Sequence, residues 1–326
     1  MPKVMIGPAP LAGVGGPYLE ILKAAGFDLV YPKKKEQMTE PELLEQLTGV
    51  VASLAGSEPY TRRVLDAHPG LRVIARAGVG YDAVDTAAAT ERGVAVCITP
   101  NTNQDAVAEL TFAHILALAK SLVDLHQGTI QSKWPRKATL PLRGRTLGIA
   151  GLGRIGKSVA VRGESFNMKL IAYEPFPDHA FAKTHGVTFV TLDELLAKSD
   201  FLTLHMPATK EARHIINKQS LAKMKPTAFV INTARGSLIN EPDLVEALQA
   251  KKIAGAGLDV LDKEPPGDHP LFKLDNVVFT PHVAGVDLQS RDDMAESAAA
   301  AIVSLMKGEW PAEKVVNPEV RTKFKW

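Results

Sequence analysis

The sequence predicts an α/β protein built from two doubly wound domains, each around a parallel sheet. Three observations carry this. Short apolar, β-branched runs alternate with longer amphipathic stretches along the chain, which is the pattern of βαβ units. The alternation falls into two series, the second beginning at Thr146. The length of 326 residues exceeds one small core and suits two domains of about 100–200 residues each.

In the first series, Val4–Ile6, Asp28–Tyr31, Val50–Val51, Arg72–Ala75 and Val94–Val96 read as strands, with helical stretches near 17–25, 40–47, 61–67 and 84–91. The pattern over Asp105–His126 is apolar at helical spacing and predicts a helix carrying the chain between domains. Ser132–Arg143 is polar and broken by proline, and reads as a linker or loop. The second series offers strands at Thr146–Ala150, Leu170–Tyr173, Phe201–His205, Ala228–Asn232, Ala254–Asp259 and Val277–Thr280. Helix signals sit between them. Thr191-Leu-Asp-Glu194 is a capping box, in which the Thr hydroxyl accepts from the N3 amide and the Glu reaches back. Asn240 before Pro242 marks the start of a helix over 241–251. A final helix, Asp292–Met306, follows the last strand and is expected to return to the first domain. The expected domains are therefore 1–100 plus 288–326, and 101–287.

Hydrophobic residues make up 45% and charged residues 23%, ordinary values that exclude a disordered, collagenous or fibrous chain. The formal net charge is +2, and the longest run of one sign, Lys33-Lys34-Lys35, reads as a solvated turn. No nucleic-acid partner is expected. The one cysteine, Cys97, reads as a small buried hydrophobe and fits a reducing, cytoplasmic compartment. The N-terminus shows no secretory h-region. The longest apolar stretch, Ala298–Met306, is broken by Ser304 and is far shorter than the ~20 residues of a membrane span. No membrane partner is expected. There is no HExxH, no cysteine pair, no GxSxG and no GxxxxGK[ST], so neither a metal site nor serine-hydrolase or P-loop chemistry is expected.

Gly151-Leu-Gly153-Arg-Ile-Gly156 follows the strand Leu147–Ala150 and opens the helical pattern Arg154–Phe166. In that setting the first glycine permits the tight turn, the second lets backbone approach a pyrophosphate, and the third lets helix and strand pack closely. The helix N-terminus presents unpaired N–H groups to the anion. The next strand ends at Glu174, where a carboxylate can accept from the adenosine ribose hydroxyls and would repel a 2′-phosphate. NAD is therefore favoured over NADP.

Three polar residues lie just beyond strands of the second series. Arg235 sits in Asn232-Thr-Ala-Arg-Gly236, at the edge where open α/β sheets bind ligands. Its guanidinium fork suits a substrate carboxylate and an adjacent carbonyl; a surface salt bridge is the alternative. Glu264 lies in Leu258–Pro266 and His282 in Phe279–Gly285. A histidine can exchange the proton of an alcohol near neutral pH, and a carboxylate beside it would fix its tautomer. Their separation in sequence leaves contact open, against an exposed acid in a Pro-rich loop and a capping or core histidine. His205 also ends a strand, and either lines a cofactor cleft or is a satisfied strand-end histidine. In the first series, Arg76-Ala-Gly-Val-Gly-Tyr-Asp82 is either an ordinary glycine turn or a nest of backbone N–H groups for a carboxylate.

Taken together, RAGVGYD (76–82), PNTNQDAVAELT (100–111), TLGIAGLGRIG (146–156), LHMPAT (204–209), INTARGSLIN (231–240), AGLDVLDKEPP (256–266) and TPHVAG (280–285) resemble the D-isomer-specific 2-hydroxyacid dehydrogenases, in particular the phosphoglycerate dehydrogenase and glyoxylate/hydroxypyruvate reductase branches. The resemblance spans nearly the whole chain. It implies two Rossmann-like domains with the active site in the interdomain cleft, usually as a homodimer. It implies Arg235 as the substrate-binding arginine, His282 as acid/base and Glu264 as its supporting carboxylate. Gly151, Gly153, Arg154, Ile155, Gly156, Glu174, His205, Thr209, Thr233, Ala234, Asp259 and Gly285 match cofactor positions. Gly78, Val79 and Gly80 match the turn that offers amides to the substrate carboxylate, alongside Arg235 and His282.

The expected function is NAD-dependent hydride transfer to or from a small 2-oxo/2-hydroxy acid, of glyoxylate/hydroxypyruvate or D-3-phosphoglycerate type. Two departures bear on this. The ribose acid is Glu174, where the family more often has Asp. The segment Ala52–Ser57, read as a loop, carries no Lys or Arg where phosphoglycerate-specific relatives tend to place a cation, which argues for an unphosphorylated substrate. The sequence ends at Trp326, and serine feedback through an appended regulatory domain is not expected. The alternative from another class is an NAD(H)-sensing, corepressor-like interaction protein.

Overall fold

The computed structural model describes residues Met1–Trp326 in two units, Met1–Asn103 with Gly285–Trp326, and Gln104–Ala284. In the first unit the strands are β1 (Lys3–Ile6), β2 (Asp28–Val30), β3 (Val50–Ala55), β4 (Val73–Arg76) and β5 (Ala95–Cys97), in the order β2-β1-β3-β4-β5. All pairings are parallel. Alternate side chains go to opposite faces, and both faces are buried. Val4, Ile6, Leu54, Val73 and Ala75 pack with α1 (Pro17–Ala24) and α12 (Leu288–Met306). Met5, Val50, Ile74 and Val96 pack with α2 (Glu40–Gln46), α3 (Arg62–Ala67) and α4 (Thr86–Glu91). Double burial is why these strands read as continuous apolar runs.

Two expectations in this unit need correction. Ala52–Ala55 is not a loop: it is the buried second half of β3, hydrogen-bonded between β1 and β4. Its Ala and Ser residues weaken the strand signature, but they suit a central strand with helices on both sides. Only Gly56 and Ser57 remain as loop, followed by the buried Glu58. The last helix begins at Leu288, four residues earlier than expected, because Asp287 caps it by accepting from the Ser290 amide at 2.6 Å. Cys97 is buried, and burial pushes its thiol up to about 12, so it stays protonated.

In the second unit β6 (Thr146–Ala150), β7 (Lys169–Tyr173), β8 (Val187–Phe189), β9 (Phe201–Leu204), β10 (Phe229–Asn232), β11 (Gly255–Leu258) and β12 (Val277–Phe279) form one parallel sheet in the order β12-β11-β10-β9-β6-β7-β8. Chain direction of strand addition reverses between β6 and β9, so the carboxyl ends of those two strands form the switch point. One face packs on α5 (Gln104–Ala119), α7 (Arg154–Ser165) and α8 (His179–His185) through residues such as Phe112, Val159 and Leu147. The other packs on α9 (Leu192–Lys198), α10 (Lys218–Ala222) and α11 (Glu241–Gln249) through Leu195, Leu221 and Leu244.

Both arms of the Thr191–Glu194 capping box are present, and the Asn240 side chain accepts from the Asp243 amide at 3.2 Å to start α11. The pattern over 105–126 is two helices rather than one, since α6 (Leu122–Ile130) starts after Ser121, which adopts a left-handed φ of 48°. β8 was not expected. It is an edge strand of three residues launched from Gly186, and such a run carries almost no periodicity. No single helix is long and apolar enough to cross a membrane.

Candidate active site

The turn after β6 is built by the close approaches its glycines allow. A Cβ on Gly151 would sit 2.8 Å from the His205 carbonyl, in the loop after β9, and one on Gly156 would overlap the Gly151 carbonyl. The loops of the two switch-point strands therefore touch, and α7 packs down on β6. Around Gly153 nothing lies within 4 Å of where a Cβ would be. Gly153 is the N-cap of α7 and supplies no capping side chain, which leaves the first amides of that helix without a side-chain cap. Arg154 and Ile155 are its first two residues. Glu174 stands at the end of β7 and accepts from the Leu152 amide at 2.8 Å and the Phe176 amide at 3.0 Å, which fixes the acid beside the glycine turn. Turn, open approach and neighbouring acid fit a dinucleotide.

Arg235, Glu264 and His282 occupy the loops after β10, β11 and β12, which are neighbours in the sheet. Parallel pairing puts all three loops at one edge. Arg235 donates to the Ala234 carbonyl at 2.7 Å. Its loop is laced by Asn232, fully buried, which accepts from the Ala234 amide at 3.0 Å and donates to the Arg235 carbonyl at 2.8 Å. At Gly236 a Cβ would overlap the backbone of Leu261 and Asp262, so glycine there lets the Arg235 loop lie against the loop that carries Glu264.

Glu264 accepts from the Leu261 amide at 3.0 Å through Oε1 and meets His282 Nδ1 at 2.6 Å through Oε2. Burial pushes the Glu264 carboxyl up, yet its bond to His282, the His282 charge, the Leu261 amide and the Arg235 guanidinium outweigh this and lower its pKa. A carboxylate can only accept, so Nδ1 carries a proton and Nε2 is the nitrogen left for proton exchange.

His282 holds a left-handed φ of 54°, which costs a non-glycine residue about 1–2 kcal/mol. Asp259, 2% exposed, holds it there. The Asp259 carbonyl accepts the His282 amide at 2.7 Å. Its carboxylate accepts Val283 N–H at 2.9 Å, Ala284 N–H at 3.0 Å and the Thr280 hydroxyl at 2.6 Å. Three of roughly four lone pairs are thus committed to the turn. Sequence reasoning assigned Asp259 to the cofactor and missed this anchoring, because its partners are backbone amides more than twenty positions away.

Thr233 is buried and bonded to the Thr111 hydroxyl at 2.9 Å. His205 bonds to Thr203 at 2.8 Å, and burial lowers its pKa to about 3, so its ring is neutral; its Nδ1 is buried without a partner. Thr209 lies in an exposed turn, where it accepts from the Ala212 amide at 3.2 Å. Gly78, Val79, Gly80 and Gly285 belong to the first unit. There Gly78 adopts a φ of 151°, and its amide donates to Thr99 Oγ1 at 2.9 Å. The Gly78 N–H is thus committed within its own unit.

A doubly wound dinucleotide domain whose sheet edge carries an imidazole–carboxylate pair beside an arginine defines a nicotinamide-dependent oxidoreductase. The family model described as D-isomer specific 2-hydroxyacid dehydrogenase, NAD binding domain, matches residues 112–284. The chain is 41% identical over 314 residues to the glyoxylate reductase of Thermofilum pendens, covering 93% of this chain and 92% of that one. It is 40% identical over 284 residues to the D-3-phosphoglycerate dehydrogenase of Methanocaldococcus jannaschii, covering 86% of this chain and 54% of that one. The structure of D-lactate dehydrogenase from Aquifex aeolicus complexed with NAD and lactic acid superposes with a TM-score of 0.85 at 29% identity, covering 96% of this chain and 99% of that one. This chain belongs to the D-isomer-specific 2-hydroxyacid dehydrogenase family, and its cofactor is NAD(H). These relatives are named reductases and dehydrogenases and lend no support to a corepressor-like role.

Proposed function

We propose that the protein reduces small, unphosphorylated 2-oxo acids of the glyoxylate/hydroxypyruvate type, with Arg235, Glu264 and His282 as its working groups. The observation that carries this is the 2.6 Å pairing of His282 Nδ1 with Glu264 at the edge that also holds Arg235. Bound NADH supplies the hydride. Arg235 holds the substrate carboxylate and carbonyl oxygen by its planar fork. His282, as imidazolium, gives the Nε2 proton to the oxygen that becomes the alcohol, and Glu264 stabilises the cation and keeps the ring aimed. In the first unit the amides of Val79 and Gly80 take a carboxylate.

Gly151, Gly153 and Gly156, with the Arg154–Ile155 amides, take the pyrophosphate, and Glu174 takes the ribose. Thr209, Thr233, Ala234 and Gly285 are the further cofactor positions, and the one uncommitted acceptor site of Asp259 is available to the nicotinamide amide. The turn after β3 carries Ser57 and a buried Glu58 and no Lys or Arg of its own, and the Arg76 guanidinium beside it is buried and acts on Glu58, which favours an unphosphorylated acid. The protein acts as a cytoplasmic homodimer with no nucleic-acid or membrane partner.

The test is loss of NADH absorbance with glyoxylate, hydroxypyruvate and 3-phosphohydroxypyruvate, repeated with NADPH. The expected order of kcat/KM puts the unphosphorylated acids first and NADH ahead of NADPH. A preference for the phosphorylated acid overturns the substrate assignment. The cofactor assignment has its own check. Gly153→Ala meets open space, so its Tm should stay within about 2 °C of wild type, while its NADH Kd, read by fluorescence titration, rises about 10-fold or more because the methyl group fills the pyrophosphate approach. Gly156→Ala must push α7 off β6 and should lose about 1–3 kcal/mol of stability as well.

A further inference from the structure

Next to Thr280 and Asp259 lies a buried titratable group with no part in the proposed chemistry. His114, on α5, is 1% exposed, and its Nε2 lies 2.9 Å from Thr280 Oγ1. Thr280 spends its only hydroxyl proton on Asp259 Oδ1 at 2.6 Å. Its oxygen can therefore only accept from the ring, which fixes His114 as the Nε2–H tautomer. The other nitrogen, Nδ1, is buried without a partner and faces Gly257, where a Cβ would lie 2.7 Å away. Burial lowers the His114 pKa and the Asp259 charge opposes it only in part. A proton on Nδ1 would find no acceptor, so the ring stays a neutral donor.

From Thr280 the chain of bonds continues without a gap. Asp259 receives Thr280 and the amides of Val283 and Ala284, and its carbonyl receives His282 N–H. The left-handed backbone of His282 is held by these bonds and by the Thr280 carbonyl at 3.1 Å, while its ring is tied separately to Glu264. We propose that His114 is a positioning residue that sets the aim of His282, acting through Thr280 and Asp259. The inference rests on the reading of His282 as the acid/base. It gives α5 a task in proton transfer: a helix on one face of the sheet fixes the geometry of a loop at its edge.

A mis-aimed acid weakens only an interaction made in the transition state, so kcat falls while KM holds. His114→Leu should lower kcat at least 10-fold, with KM for the 2-oxo acid and the NADH Kd within about twofold of wild type. His114→Gln restores a donor near the Nε2 position and should recover kcat to within about threefold. Thr280→Val, which keeps the side-chain shape, should reproduce the loss, and Thr280→Ser should rescue it; this pair serves if His114→Leu fails to fold.

Amide hydrogen exchange provides a readout independent of turnover: exchange at Val283 and Ala284 should accelerate in His114→Leu and Thr280→Val and not in the rescuing variants. Unchanged exchange overturns the inference whether or not any acid is reduced. A parallel rise in KM, NADH Kd and loss of Tm also overturns it, in favour of a purely structural role. Accelerated exchange with kcat unmoved also overturns the inference, because the turn then loosens without mis-aiming His282; the acid/base reading itself stands or falls with kcat of His282→Asn.

Discussion

His282→Asn is expected to lower kcat by about 10²–10⁴-fold while the NADH Kd stays within about twofold of wild type. Asparagine is the informative replacement because it tolerates the left-handed φ of 54° at this position. The backbone bond to the Asp259 carbonyl can persist, so a loss of activity would report a missing proton donor, as proposed for His282, and not a collapsed turn. The same variant removes the His282 bond and charge, the largest of the influences that hold the Glu264 carboxyl below its ordinary value of 4.5, and leaves those of the Leu261 amide and Arg235. A depressed folded-state pKa stabilises the protein at pH values above the unfolded-state pKa, and the contribution disappears as the pH falls through the folded value. The Tm difference between wild type and His282→Asn should therefore be present at neutral pH and close on acidification below about 4.5. The effect is modest, because the pair is more than a third exposed to water. Stopped-flow or steady-state reduction assays measure the first outcome, and thermal melts across pH the second. A variant retaining kcat within about threefold of wild type would show that another group delivers the proton.

The parts legible in the sequence are those where one residue type answers one backbone demand. The glycines at 151 and 156 stand where any Cβ would meet backbone, and Glu174 follows at the end of the next strand. Arg235, Glu264 and His282 were legible as separate loop residues after strands. That the three loops adjoin follows from the parallel order β10-β11-β12, which the alternation of strands and helices implies. What joins them was not legible. Asn232 looks like a strand residue but works as a brace, bonding two backbone groups of its own loop. His114 looks like one polar residue in an apolar helix, and its partner Thr280 is 166 positions away. β3 was cut short because Ala52 and Ser53 are weak strand formers, although burial between β1 and β4 decides their state. Spacing reports demands met locally, whereas braces and anchors depend on which distant backbone groups lie within reach.

Arg235→Ala should be the most damaging single change, with kcat/KM falling by about 10³–10⁵ on the best acid, since charge stabilisation and orientation are lost together. The guanidinium is asked to do two things that no other side chain on this edge does. In the proposed reaction it would hold the carboxylate equally before and during reaction, which sets KM, and neutralise charge growing on the carbonyl oxygen, which sets kcat. Arg235→Lys separates them. A lysine returns the positive charge but not the paired, coplanar donors, so KM should recover partly while kcat remains about 10²–10³-fold down. Folding should be little affected, because Asn232 braces the loop through its backbone and through the Arg235 carbonyl, which any residue at this position keeps. Gly236→Ala provides the contrast: it keeps the guanidinium but forces the loop away from Leu261 and Asp262, so it should lower both Tm and kcat/KM. An Arg235→Lys enzyme with kcat near wild type would mean that a point charge suffices at this edge, and that the planar fork has no part in the chemistry.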